Sequence, residues 1–160
     1  MNPKISVMIV EDHSIFREGL KRVLGGMKDV EFAGEAENGA VFLQKLHRIK
    51  PDIVLMDLKM PVMDGLEATE QALKLYPALK IIVLTMFGQE EYLYSMIQKG
   101  ISGFILKTTS MHDLERAIHL VSAGQQYYSY EISVDFFDSS SQRQKRRMLG
   151  LGFELCGKRP

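Results

Sequence analysis

Only one cysteine, Cys156, occurs in 160 residues, so the chain has no internal disulfide framework and suits a reducing compartment. No apolar stretch approaches the roughly 18 to 20 residues a membrane-crossing helix needs. Near the N-terminus, Glu11 and Asp12 cut off the apolar run Val7 to Val10 before it could serve as a signal peptide. Net charge is also missing, with 20 basic residues against 20 acidic. These absences argue against a disulfide-stapled secreted scaffold and a membrane protein. The expectation is a cytoplasmic protein with no membrane partner.

The charge balance hides an asymmetry. Residues 139–160 hold Arg143, Lys145, Arg146, Arg147, Lys158 and Arg159 against Glu154 alone, which makes the tail basic and the body mildly acidic. An apolar content of 46% is ordinary for a globular fold, and the length suits about one domain.

Four apolar runs read as buried strands, and each stops at a polar group. Ile5 to Val10 stops at Glu11 and Asp12, and Ile53 to Met56 at Asp57. Lys80 to Leu84 stops at Thr85, and Ile101 to Leu106 at Lys107. Between them lie helical stripes: Phe16, Leu20, Val23 and Leu24; Phe42, Leu46 and Ile49; Leu114, Ala117, Ile118 and Val121. Gly25 and Gly26, Pro51, Pro77, Gly100 and Gly124 punctuate the pattern, while Asp64 with Glu67 and Ser110 with Asp113 look like capped helix starts. Strand alternating with helix five times predicts a doubly wound α/β fold with a parallel sheet.

One acid after a strand is more often a turn or cap residue than a catalyst. Four strand ends supplying three carboxylates, a hydroxyl and an ammonium are a different matter. Open α/β sheets place their chemistry at the C-terminal strand edge, where these groups would converge. Carboxylates there can hold a hard cation such as Mg²⁺, and Lys107 and Thr85 can meet phosphate oxygens.

In order and spacing this set resembles the receiver domain of two-component response regulators (CheY-like), particularly the NarL/FixJ-type branch. The motifs are the acidic pair Glu11 and Asp12, Asp57, the turn from Met60 to Gly65, Thr85 and Lys107, with intervals of 45, 28 and 22 residues from Asp12 onward. The resemblance covers roughly residues 4 to 124. It implies a flavodoxin-like fold with five parallel strands in the order 2-1-3-4-5 and helices on both faces.

It also implies that Asp57 accepts a phosphoryl group from a sensor histidine kinase. Mg²⁺ would be held by Asp12 and Asp57, by Glu11 directly or through water, and by the backbone carbonyl of Lys59. Thr85 and Phe104 would form a switch acting on the fourth helix, fifth strand and fifth helix, with homodimer formation on phosphorylation. Such a chain is no turnover enzyme: it catalyses only its own phosphorylation and dephosphorylation. Where many receivers carry a cis-proline after the lysine, this chain has Thr108, so that bond is either strained or trans. Met86 and Phe87, where smaller residues often sit, would narrow access for water. The four histidines, His13, His47, His112 and His119, show no ligand spacing with one another and are assigned surface or capping roles.

The division expected is a receiver over residues 1–125 and a linker with a basic, mobile tail over 126–160. About 35 residues after the fifth helix contain no two-helix pattern, so DNA binding is not expected of this chain, although the parent family regulates transcription. Three alternatives remain: a docking or dimerisation module that takes no phosphate, a truncated or frame-shifted regulator that is a receiver without output, and a haloacid-dehalogenase-like phosphatase. The latter needs a second acid two residues after its nucleophile, where Lys59 stands.

Overall fold

The computed structural model describes residues 2–86, 90–129 and 154–156. Seven strands, β1 (Ile5–Val10), β2 (Val30–Ala36), β3 (Ile53–Asp57), β4 (Lys80–Thr85), β5 (Gly103–Leu106), β6 (Tyr127–Ser129) and β7 (Glu154–Cys156), form one sheet in the order β2-β1-β3-β4-β5-β6-β7. Every pairing is parallel. The five helices are α1 (Ser14–Gly25), α2 (Gly39–Ile49), α3 (Gly65–Leu75), α4 (Leu93–Lys99, after a 3-10 turn at Glu90–Tyr92) and α5 (Met111–Ser122).

Alternation along the strands sorts side chains into two cores. Val7, Ile9, Ile53, Leu55, Ile82, Leu84 and Ile105 pack with the α1 and α5 stripes. Met8, Val10, Val54, Met56, Ile81, Val83 and Phe104 face the other way, against α2, α3 and α4. A sheet covered on both faces needs nearly continuous apolar strands, which is why the central runs were legible. The α5 residues expected to be buried, Leu114, Ala117, Ile118 and Val121, are the ones buried. Asp64 caps α3 by accepting from the Glu67 amide, and Ser110 caps α5 by accepting from the Asp113 amide.

One expectation needs correction. The sheet is larger than five strands, because Tyr127 and Tyr128 leave the α5 turn and pair with Gly103 and Phe104, and Glu154–Cys156 pairs beyond them. β6 falls at the start of the segment expected to be a linker: Tyr127 is 1% exposed, and its large ring is buried against the α1 and α5 core. β2, sequence VEFAGEA, has no buried run to advertise it, since as the edge strand it alternates polar groups. The basic stretch 143–147 lies outside the described residues. Among the described residues, no helix is long and apolar enough to cross a membrane.

The loop from β3 to α3 is tight. A Cβ on Gly65 would run into the carbonyl oxygen of Asp57, so glycine is required for that close approach. Val62 has φ of 69° between Pro61 and Met63, whose amide donates back to the Pro61 carbonyl at 2.8 Å. That is a γ-turn with positive φ, a strained conformation for a β-branched residue.

Candidate functional site

The ends of β1, β3 and β5 converge as the sheet topology requires. Lys107 Nζ lies 2.7 Å from Glu11 Oε2 and 3.0 Å from Asp57 Oδ1. Glu11 is fully buried and Asp57 is 3% exposed. Two desolvated carboxylates on neighbouring strands repel each other, and one ammonium between them offsets that repulsion.

Burial, then the charge of Glu11, pushes the Asp57 carboxyl up from 3.8 to about 6, with Lys107 opposing and Asp12 adding to the rise. Burial pulls the Lys107 ammonium down, but its hydrogen bonds to Glu11 and Asp57 outweigh that, and its pKa is raised. Asp57 is thus held as a carboxylate with little solvation and one cationic partner.

Asp12 is half-buried. Its Oδ1 is shut off from solvent and accepts no hydrogen bond. It lies 3.3 Å from His13 Nδ1, which also stands 3.2 Å from Glu11 Oε1. A buried carboxylate oxygen without a donor is the kind of acceptor a cation would satisfy, and the acid pair offers it hard oxygens. The donor set therefore fits a divalent cation such as Mg²⁺.

Thr85 ends β4 fully buried, and its hydroxyl donates to the Met86 carbonyl at 3.2 Å. The Lys107 amide donates to the Thr85 carbonyl at 2.8 Å, tying the last two site strands together. Phe104 is fully buried in the core shared with Leu93 and Met96 of α4. Lys59 stands in the loop behind Asp57. Its ammonium donates to the Tyr92 hydroxyl at 2.7 Å and lies 4.3 Å from that ring's centre, so its side chain serves Tyr92 rather than the acids. Among the described residues there is no cis peptide, so the bond from Lys107 to Thr108 is trans. Met86 is 53% exposed, and Phe87 falls outside the described residues.

Several contributors escaped the sequence reading. Arg17 Nη1 donates to the Glu11 carbonyl at 2.6 Å and its Nε reaches Glu35, fixing the β1 end. The Phe16 ring lies 5.0 Å from Lys107 Nζ, near enough for a cation–π contact. Tyr92 is the partner of Lys59. Only His13 had a signal, its place directly after the acid pair.

Fold and site define an open parallel α/β domain with an acid, acid and lysine cluster at its C-terminal strand edge. Residues 7–119 match the response regulator receiver domain, and the chain belongs to that family. It is 36% identical over 140 residues to the response regulator GacA of Pseudomonas syringae pv. syringae, covering 88% of this chain and 65% of the relative. It is 37% identical over 139 residues to the response regulator protein VraR of Staphylococcus aureus, covering 87% of this chain and 66% of the relative. The chain thus spans somewhat under two thirds of those relatives' length. A LuxR-family two-component response regulator from an Aurantimonas species superposes with a TM-score of 0.78 at 29% identity, over 82% of this chain and 94% of that one. The isolated receiver domain of RcsB from Salmonella enterica serovar Typhimurium, solved with the phosphomimetic BeF₃⁻, gives 0.75 at 27%, over 82% and 97%.

Proposed function

We propose that this receiver takes a phosphoryl group onto Asp57 from the phosphohistidine of a sensor histidine kinase in the cytoplasm. The observation that carries the reading is Lys107 bridging Glu11 and Asp57 at the ends of three strands. In the transfer the bond from phosphorus to the donor nitrogen breaks and a bond to an Asp57 carboxylate oxygen forms. With its pKa near 6, Asp57 is mostly ionised at pH 7 and can attack.

Glu11, Asp12, Asp57 and the Lys59 carbonyl would hold Mg²⁺, which supplies screening of the negative charge shared by acids and phosphoryl oxygens. Lys107 stays between Glu11 and Asp57 and neutralises an oxygen of the acyl phosphate. The Thr85 hydroxyl turns from the Met86 carbonyl to donate to another. Catalysis is then positioning and electrostatics, performed once per phosphoryl group rather than as turnover.

Movement of Thr85 leaves room beside β4 that Phe104 can repack into, which shifts the α4, β5 and α5 face. That face would carry the signal onward, through a homodimer and, as in the parent family, to transcription. The test is intact mass after incubation with a small acyl-phosphate donor, with and without Mg²⁺, on wild type and Asp57→Asn. One added phosphoryl group requiring both Mg²⁺ and Asp57 is expected. No gain under any condition rules the mechanism out and leaves a docking module that works without phosphate.

A further inference from the structure

His13 occupies the N-cap position of α1, yet its side chain makes no capping hydrogen bond. The imidazole turns back to the acid pair instead. Its Nδ1 stands 3.2 Å from Glu11 Oε1 and 3.3 Å from Asp12 Oδ1. Ligand atoms of Glu11, Asp12 and His13 all lie within 4.8 Å of one another, the one such cluster among the described residues. Two other histidines are placed differently: His112 lies 3.9 Å from Asp113, and His119 Nδ1 is 2.8 Å from the Glu115 carbonyl.

The spacing suits a shared ion. Bonds of about 2.1 Å put neighbouring donors of a tetrahedral shell about 3.4 Å apart and those of an octahedral shell about 3.0 Å apart. The two distances from Nδ1 fall between these values. Glu11 commits Oε2 to Lys107, while its Oε1 faces the imidazole and also accepts the His13 amide at 3.1 Å, leaving it a lone pair for an ion, and Asp12 Oδ1 accepts no hydrogen bond.

We propose that His13 is a ligand of the cation site and sets its metal preference. This rests on reading the acid pair as a cation site. Mg²⁺ takes oxygen and water and gains nothing from an imidazole, whereas Co²⁺, Ni²⁺ and Zn²⁺ bind imidazole nitrogen well. Nδ1 must release its proton to ligate, and the ring, with its side chain 75% exposed, can carry a proton on Nε2 in contact with water. A transition-metal ion held by Glu11, Asp12 and His13 competes directly with Mg²⁺ for Asp12.

Co²⁺ and Mg²⁺ titrations followed by calorimetry and by the visible absorption of Co²⁺ test this on the full chain. Wild type, His13→Ala, His112→Ala and Asp12→Asn are compared, with circular dichroism confirming that each is folded. His13→Ala is expected to weaken Co²⁺ at least about tenfold and alter its visible bands while leaving Mg²⁺ affinity unchanged. His112→Ala should match wild type, and Asp12→Asn should weaken both ions. If His13→Ala keeps its Co²⁺ affinity and spectrum while Asp12→Asn loses Mg²⁺, His13 is no ligand and the cation site stands without it. If wild type binds neither ion in a way that Asp12→Asn alters, the cation reading itself falls, and this proposal with it.

Discussion

Asp52 and Asp57 flank one strand, five residues apart, and the two edges of the sheet treat them in opposite ways. Asp52, just before β3, is exposed, and its Oδ2 accepts from the Ser6 amide at 2.8 Å and the Ser6 hydroxyl at 2.9 Å. Its own amide donates back to the Ser6 carbonyl at 2.9 Å. Asp57, which ends β3, is buried and shares Lys107 with a second buried acid, in front of a loop strained at Val62. One edge spends its carboxylate on holding strands in register. The other keeps a carboxylate poorly solvated at a cost in stability, as functional sites commonly do.

Removing the cation should break this contrast most severely. Lys107→Met leaves Glu11 and Asp57 buried without a counter-charge and is expected to cost about 3 to 5 kcal/mol, read by urea unfolding at pH 7. A loss below about 1 kcal/mol would mean that the acids are better solvated than their burial implies.

Asp57→Asn should act in the opposite direction. Because the Asp57 pKa is raised from 3.8 to about 6, the folded chain keeps a proton that the unfolded chain has released between those values. Stability therefore falls as pH rises through that window, and the full cost is present above about pH 6. The substitution is expected to stabilise the chain by up to about 3 kcal/mol at pH 7 and by a fraction of that at pH 4. Unfolding curves at the two pH values check it, and an equal gain at both would assign the effect to something other than ionisation.

At the opposite edge, Asp52→Ala should destabilise by about 1 to 2 kcal/mol, since two hydrogen bonds to a charged acceptor are lost at an exposed site. A gain there would dissolve the comparison. The smallest effect is expected at Val62→Gly. Strain of about 1 to 3 kcal/mol is relieved, offset by about 1 kcal/mol of freedom added to the unfolded chain. A net gain of about 1 kcal/mol in thermal unfolding would confirm that the loop stores strain.

Much of this is legible in the sequence. The runs ending at Asp57, Thr85 and Lys107 are buried on both faces, so every residue in them had to be apolar until the chain left the sheet. The capping pairs at Asp64 and Ser110 are local in sequence and were equally plain. β2 was harder, because an edge strand needs no continuous apolar run. β6 is hidden because a three-residue strand has too few residues to show a period.

The sequence by itself determined the doubly wound layer, the family and the list of groups at the strand ends, because burial and spacing along one dimension are enough for these. Only the tertiary structure decided how the groups are shared. It gave Lys107 to both Glu11 and Asp57, turned Lys59 toward Tyr92, and brought His13 back against the acid pair. Such pairings join residues as far as 96 apart in the chain. Their energies depend on distances of a few ångströms and on loss of water, which the order of residues does not contain.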